Sequence, residues 1–291
     1  MIVILDFDGT LTAEEEQARP LSRLSLDTLA KEIIGAPREQ LQRDYDRTRA
    51  RLLANPSRYC WEVNGLVATY CDEGAFILNT STMQTMLRDI RPYAEAVARR
   101  FGDAEYDPVV DCTNYLFHRH TAELAPRFRP EACDLLQWLQ SRPGITPLVL
   151  TNSLGDKVAR HLQTLDVEPL SILGDTRQYD MQPDWRPEPD GHEIAGFPVW
   201  QVSRERHIDL RRPAYYRALV ATLGTDREVM VVADTLSLPG GLALAMGVRF
   251  GLLSTSYTPD WCRQVVEGHP LGTVLNSLAD LPELLRAWPD A

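Results

Sequence analysis

The chain has 291 residues, of which 30 are Lys or Arg and 41 are Asp or Glu, so its formal charge at pH 7 is −11. With 44% hydrophobic and 24% charged residues, the sequence is typical of a globular protein that can bury a core, which excludes collagen, coiled coils and disordered tails. An acidic chain without a basic stripe is a poor candidate for binding nucleic acid or an anionic membrane, whereas a small anionic substrate can still bind in a local pocket.

Neither a membrane span nor a secretion signal is indicated by the sequence. No run of about eighteen apolar residues occurs, and the first strand-like segment starts at Met1 with no basic segment before it. We therefore expect a cytoplasmic protein. The five cysteines are scattered and form no Cys-x-x-Cys pair, which predicts buried free thiols and neither a disulfide framework nor a zinc site.

The first predicted element is a strand. Ile2-Val3-Ile4-Leu5 is a continuous apolar run typical of a buried parallel strand, and it leads directly into Asp6-Phe7-Asp8-Gly9-Thr10. From 13 to 128 the apolar residues recur at intervals of three or four, as they do at Leu41, Tyr45, Thr48 and Leu52. This spacing predicts an all-helical domain, 13–128, inserted after the first strand.

Helices and strands alternate after residue 129. Strands are predicted at 147–150, 170–173, 228–233 and 248–253. Helices are predicted at 131–141, 156–165, 213–223, 241–246 and 278–288. This order predicts an α/β fold with a doubly wound parallel sheet, which is built from residues 1–12 and 129–291.

One segment, 174–210, does not fit this alternation. It contains four prolines and is much longer than an ordinary connection between elements. We predict a β-flap or extended hairpin over the edge of the sheet, inserted within the core. A poorly ordered surface insertion is the alternative.

Polar residues follow three of the predicted strands. Asp6 and Asp8 come after the strand at 2–5, Thr151 and Asn152 come after the strand at 147–150, and Asp234 comes after the strand at 228–233. In a doubly wound sheet, ligands bind outside the carboxyl ends of the strands near the switch point, so we expect these side chains to share one crevice. Acids this close repel each other unless a cation or proton neutralises them. Oxygen ligands from Asp6, a backbone carbonyl, Asp234 and water describe a Mg²⁺ site better than a zinc or iron site.

These residues carry a resemblance to a known family. Asp6-Phe7-Asp8-Gly9-Thr10-Leu11-Thr12 resembles the first motif of the haloacid dehalogenase-like superfamily, in the form typical of its phosphatase branch. Leu150-Thr151-Asn152-Ser153 resembles the second motif, Arg212-Pro213 the third, and Val231-Val232-Ala233-Asp234 the fourth. The resemblance covers 1–12 and 129–291. By position only, the segment 13–128 is similar to the cap domain that many such enzymes insert after the first motif.

The resemblance implies a Mg²⁺-dependent phosphomonoester hydrolase that acts on a small phosphorylated metabolite. Asp6 would attack the phosphoryl group to form an aspartyl-phosphate, and Asp8 would protonate the leaving oxygen and then activate water. Thr151, Asn152 and Arg212 would bind the phosphoryl group, and Asp6, Asp8 and Asp234 would form the Mg²⁺ site. A phosphoryl transferase (mutase) that uses the same nucleophile is an alternative. The sequence specifies neither the substrate nor the oligomeric state.

Two positions depart from the family pattern. The third motif has Arg212 where Lys is usual, and the neighbouring Arg211 is an alternative for the same role. In the fourth motif, Leu238 and Pro239 stand where a second acid is expected, which predicts weaker Mg²⁺ binding. A binding or regulatory protein that kept the fold with a weakened metal site is therefore a further alternative. His118 and His120 lie on different sides of a predicted helix, which favours surface or cap-interface positions over a shared metal ion.

Overall fold

A computed structural model describes residues 1–103, 105–189, 191–224 and 228–287. Their strands are β1 (Ile2–Leu5), β2 (Cys60–Val63), β3 (Leu66–Tyr70), β4 (Thr146–Leu150), β5 (Ser171–Leu173), β6 (Val199–Gln201), β7 (His207–Asp209), β8 (Val229–Ala233), β9 (Arg249–Leu253) and β10 (Gly272–Leu275). Their α-helices are α1 (Glu14–Thr28), α2 (Arg38–Ala54), α3 (Ala75–Asp89), α4 (Arg91–Arg100), α5 (Pro108–Glu123), α6 (Ala132–Gln140), α7 (Gly155–Leu162), α8 (Pro213–Leu223), α9 (Gly241–Ala245), α10 (Asp260–Glu267) and α11 (Leu281–Arg286).

The central sheet has six parallel strands in the order β10-β9-β8-β1-β4-β5. Strand β1 lies in the middle, where Leu5 is opposite Val149 of β4 on one side and Val232 of β8 on the other. The chain extends the sheet in one direction through β4 and β5 and in the other through β8, β9 and β10, so the switch point is at β1. The predicted doubly wound α/β fold is confirmed. The edge strand β10 and helix α10 were not predicted.

Alternate residues of the central strands face two different helical layers. Ile4 packs in a buried cluster with residues of α8, α9 and α10, whereas Val3 and Leu5 pack with residues of α6, α7 and α11. This alternation follows from the period of two along a strand, and it buries the sheet on both faces. The apolar run at 2–5 therefore has no polar face to expose.

The segment 13–128 contains α1 to α5 and a hydrophobic cluster of its own. The prediction of an all-helical insertion is wrong at one place, because β2 and β3 form an antiparallel hairpin. Asn64 and Gly65 connect these strands and have φ angles of 53° and 74°. Asn-Gly favours this left-handed two-residue turn, and it is a strong hairpin signal when apolar residues flank it.

The two connections between the insertion and the sheet run side by side. Thr12 and Phe128 form an antiparallel bridge, and the Arg129 backbone N–H donates to the Leu11 carbonyl at 2.9 Å. Within the segment predicted as a flap, β6 and β7 form an antiparallel hairpin. Arg206 of this hairpin makes two hydrogen bonds to Asp72, at 3.0 and 2.8 Å, directly after β3. The hairpin is thus attached to the inserted segment.

No helix among the residues that the structure describes combines the length and apolarity that a membrane crossing requires.

Candidate active site

The carboxyl ends of β1, β4 and β8 open into a cavity of about 70 Å³ between the sheet and the inserted segment. The sheet side contributes the acids and the second-motif residues predicted from the sequence, and the inserted segment contributes most of the other walls. The described lining residues are Asp6, Asp8, Glu14, Trp61, Phe76, Ile77, Thr80, Asn114, Phe117, His118, Thr151, Asn152, Gln178, Tyr179, Asp234, Thr235 and Leu238. The structure therefore brings Asp6, Asp8, Thr151, Asn152 and Asp234 together, as expected.

Asp6 follows β1 and lies between neighbours from β4 and β8. Burial raises the pKa of Asp6 well above its ordinary value, the charge of Asp8 raises it further, and hydrogen bonds from the Phe7 backbone and the Thr151 hydroxyl lower it. An ionised Asp6 is consequently costly without a nearby positive charge. A cation bound beside Asp6 would therefore strongly favour its ionised form.

Asp8 is held by two residues of the β4–α7 region. The Ser153 hydroxyl donates to one oxygen of Asp8, and Lys157 Nζ lies 3.5 Å from the other. Lys157 also donates to the Ser153 hydroxyl at 2.8 Å, and its side chain is only 5% exposed. The three side chains form a connected network that fixes the Asp8 carboxylate. Sequence reasoning missed Lys157, because Ser153 precedes α7 and only the tertiary structure brings Asp8 beside both residues.

Asp234 is fixed by the turn that follows β1. Its backbone N–H donates to the Thr10 hydroxyl at 3.1 Å, and that hydroxyl lies 3.4 Å from Asp234 Oδ1. Burial raises the pKa of Asp234 well above its ordinary value, and the charge of Asp6 raises it further. Arg129 holds the same turn by donating to the Gly9 and Thr10 carbonyls at 2.6 and 3.1 Å.

The second-motif residues are oriented by backbone contacts. Thr151 is 1% exposed, and its hydroxyl accepts a hydrogen bond from the Ser153 N–H at 3.2 Å. The Asn152 side-chain oxygen accepts one from the Gln178 N–H at 2.7 Å. The latter contact connects the end of β4 to the segment after β5.

Arg212 lies away from the cavity. Its guanidinium is fully buried and donates to the carbonyls of Asp209, Gln178 and Ala68 at 2.9, 2.6 and 2.6 Å. Burial lowers the pKa of Arg212 to about 10. Arg211 instead pairs with Asp209. Phosphoryl binding by Arg212 or Arg211 stays a prediction that these contacts do not support, because neither residue is among those described at the cavity wall.

Glu14, at the start of α1, is a further acid at the cavity that sequence reasoning missed. Burial raises the pKa of Glu14 well above its ordinary value, and the charge of Asp234 raises it further. Its carboxylate accepts hydrogen bonds from the backbone N–H groups of Ala75 and Phe76 at the start of α3. Leu238, at the position where a second fourth-motif acid was expected, contributes an apolar wall.

His118 also lines the cavity, whereas His120 is buried and bonds the Thr28 hydroxyl at 2.9 Å. Burial lowers the pKa of His118, and the charge of Lys157 lowers it further, which favours the neutral imidazole. The signal for His118 was weak in the sequence, because a single histidine on a helix is more often structural.

A family comparison agrees with this geometry. A family profile of haloacid dehalogenase-like hydrolases matches residues 1–237. The chain belongs to the haloacid dehalogenase-like hydrolase family. It is therefore an enzyme of a hydrolase family. A search of curated protein sequences found no match.

Solved structures share the fold at low sequence identity. A candidate phosphoglycolate phosphatase from Lactobacillus delbrueckii subsp. bulgaricus has a TM-score of 0.51 and 12% identity, with 98% of this chain and 97% of that chain covered. The candidate hydrolase YfnB from Bacillus subtilis, bound to magnesium, has a TM-score of 0.48 and 13% identity over 98% and 97% of the two chains. A candidate β-phosphoglucomutase from Thermotoga maritima has a TM-score of 0.46 and 14% identity over 98% of each chain. The first of these similarities supports the fold and carries no information on substrate.

The oxygen atoms of the acidic residues at the cavity are suitable ligands for a hard cation. Among the described residues, no group of three or more His, Cys, Asp or Glu side chains is arranged to hold a metal ion. Mg²⁺ does not need such a cage, because it commonly keeps several waters and binds one or two carboxylates. The carboxylate of Asp6 is partly buried, that of Asp234 is buried, and their like charges repel each other. They therefore fit a Mg²⁺ ion completed by backbone oxygen and water.

Proposed function

We propose that this chain is a Mg²⁺-dependent phosphomonoester hydrolase that acts on a small phosphorylated substrate through an aspartyl-phosphate on Asp6. The observation that carries the proposal is the convergence of Asp6, Asp8, Thr151 and Asp234 on one cavity at the switch point of the sheet. Family membership supports a hydrolase, and the second carboxylate favours a phosphate ester over a haloacid. A halide leaves without a proton, whereas an alkoxide needs one from a group such as Asp8.

In the first step, a carboxylate oxygen of Asp6 attacks phosphorus and the bond from phosphorus to the ester oxygen breaks. Asp8, positioned by Ser153 and Lys157, enters this step protonated and gives its proton to that leaving oxygen. In the second step, water attacks the phosphorus of the aspartyl-phosphate and gives a proton to Asp8. Inorganic phosphate leaves, and Asp6 is restored as a carboxylate.

The remaining residues stabilise charge that develops on the phosphoryl oxygens. The Thr151 hydroxyl and the Asn152 backbone N–H are the donors proposed for this role. Asp6, Asp234 and a backbone oxygen of Asp8 would hold Mg²⁺, which when bound neutralises charge on the carboxylates and the phosphoryl group. The contacts of Arg212 favour a positioning role, in which it orients Gln178 and, through the Gln178 N–H, Asn152.

The test is hydrolysis of a panel of phosphate monoesters by the purified chain, with and without Mg²⁺, compared with Asp6→Asn. We expect Mg²⁺-dependent phosphate release that falls at least about 10³-fold in Asp6→Asn. The exposed Asp103→Asn serves as the matched control and should retain full activity. Absence of turnover across the panel would refute the hydrolase proposal and favour a binding protein. Ester consumed without equivalent phosphate released would favour a phosphoryl transferase.

A further inference from the structure

The part of the cavity that faces away from the strand ends is walled mainly by apolar and aromatic side chains. Trp61 stacks on Tyr179 with ring centroids 4.9 Å apart, and both residues line the cavity. Phe76 and Phe117 meet edge to face at 5.5 Å on another wall. These walls come from β2, α3, α5 and the segment after β5, so the inserted segment determines most of the surface that a leaving group would contact.

The same cavity has an unfavourable charge distribution for a second anionic group. Four acidic residues line it (Asp6, Asp8, Glu14 and Asp234), and no Lys or Arg is found among the lining residues that the structure describes. Lys157 lies behind Asp8 and is engaged with Asp8 and Ser153. Burial lowers the pKa of His118 and so favours its uncharged form. Desolvating a carboxylate or a second phosphate here would leave that charge without a cationic partner among the described lining residues.

We propose that the substrate is a phosphate monoester whose alcohol part is neutral and apolar where the cavity encloses it, and that sugar bisphosphates and phosphorylated hydroxy acids are excluded. This inference rests on the proposed function of the site. The phosphoryl group binds at the strand ends, and the leaving group contacts Trp61, Phe76 and Phe117. Burial of apolar surface then supplies affinity that an anionic leaving group would lose.

The test uses two phosphonates of similar shape, which bind but cannot be hydrolysed. The affinities of 3-methylbutylphosphonate and 3-phosphonopropionate for the full chain are measured by calorimetry at saturating Mg²⁺, with methylphosphonate as the reference. We expect 3-methylbutylphosphonate to bind at least about tenfold more tightly than either of the others. Equal or tighter binding of 3-phosphonopropionate would overturn the inference, as would equal binding of 3-methylbutylphosphonate and methylphosphonate.

A charge insertion provides a second measurement. Thr80 lines the cavity from α3 and is partly exposed, so Thr80→Lys places an ammonium at the apolar end, and Thr80→Met is the neutral control. Thr80→Lys should raise the affinity for 3-phosphonopropionate relative to 3-methylbutylphosphonate by about fivefold or more, and Thr80→Met should not. An unchanged ratio in Thr80→Lys would contradict the inference.

These binding measurements do not depend on turnover. Loss of the predicted preference with Asp6-dependent hydrolysis intact would refute the substrate class and leave the proposed function standing. A clear preference without any hydrolysis would refute the proposed function and show that the cavity selects phosphonates whose organic substituent is neutral and apolar.

Discussion

Gly9 and Asp234 are in such close contact that the Asp234 carboxylate occupies the space a side chain at residue 9 would need. A Cβ atom built on Gly9 would lie 2.1 Å from Asp234 Oδ2, and Gly9 has a φ of +80°. Both the left-handed backbone and the missing side chain are therefore required for the turn after β1 to approach the end of β8. The glycine of the first motif thus sets the position of the fourth-motif acid.

Gly9→Ala should destabilise the protein and reduce activity, because it adds a collision with Asp234 to the strain of a positive φ. Gly35→Ala is the matched control: Gly35 has a φ of +75°, and nothing lies within 4 Å of a Cβ there. We expect Gly35→Ala to cost about 1 kcal/mol of unfolding free energy and Gly9→Ala clearly more, with activity reduced about 10²-fold. Denaturant unfolding and phosphate-release kinetics measure both. Equal effects of the two variants would show that the contact with Asp234 is unimportant.

Lys157→Met tests the network that holds Asp8. The change removes the ammonium beside Asp8 and Ser153 while keeping an apolar side chain of similar length. We expect kcat to fall about 10–100-fold with little change in KM, because Asp8 acts on the leaving group in the transition state.

The thermal midpoint and kcat together separate this role from a structural one. The midpoint should fall in Lys157→Met, because the change leaves the largely buried Asp8 without its ionic partner, so kcat is measured well below the midpoint. The exposed Lys31→Met is the control and should leave both quantities unchanged. A lower midpoint with normal kcat would assign Lys157 a purely structural role.

Glu73 makes the stability of the folded protein depend on pH, and it is not one of the proposed Mg²⁺ ligands. Its carboxylate accepts hydrogen bonds from the Tyr70 N–H at 2.9 Å and from the Ser237 N–H at 2.8 Å, which join β3 to the turn after β8. Burial raises the pKa of Glu73 above its ordinary value. The stability that Glu73 contributes is therefore fully present below its unfolded-state pKa, and it is lost as the pH rises through the folded-state pKa.

Glu73→Gln removes this titration. The thermal midpoint of Glu73→Gln, taken relative to wild type, should shift in favour of the variant as the pH rises from about 4.5 towards neutrality. The thermal midpoint of a single variant is less informative. Burial also raises the pKa values of Asp6, Glu14 and Asp234, so these groups change the midpoint with pH in the same direction as Glu73 does. The exposed Glu267→Gln should show a constant difference from wild type. A constant difference for Glu73→Gln as well would contradict the assignment.

The sequence was sufficient to predict the sheet and the acids at its centre. The run at 2–5 is apolar at every position because both faces of β1 are covered, and parallel strands end at the same edge. Asp6, Thr151 and Asp234 therefore follow adjacent strands for a reason that is visible in the pattern. The Asn64-Gly65 turn was also visible, and the hairpin was missed because helical spacing dominates the residues around it.

Other contacts could not be predicted, because they join residues far apart in the chain. Nothing near Lys157 indicates that Asp8 lies beside it, and nothing near Glu14 indicates the start of α3. The pair Arg212-Pro213 fits either an exposed cation or a buried one, since only the tertiary structure determines which carbonyls need donors. The position where a second fourth-motif acid was expected illustrates the same limit. Only the tertiary structure shows that Leu238, which stands there, forms part of the cavity wall.

Arg212 allows the two possible roles of the third-motif cation to be separated. Its guanidinium joins the backbone of β3 at Ala68, the segment after β5 at Gln178, and Asp209 at the end of β7. Removing it leaves three buried carbonyls without donors. Arg212→Met should therefore lower the unfolding free energy by about 3 kcal/mol or more.

Arg212→Lys keeps the positive charge but cannot reach three carbonyls, so it should destabilise less than Arg212→Met. Well below their thermal midpoints, we expect both Arg212→Lys and Arg212→Met to keep KM for a phosphate ester within about threefold of wild type, since the described hydrogen bonds of the Arg212 guanidinium go only to backbone carbonyls. The exposed Arg204→Met controls for loss of charge. A KM raised about tenfold or more in folded Arg212→Met and restored in Arg212→Lys would instead establish Arg212 as a phosphoryl-binding residue.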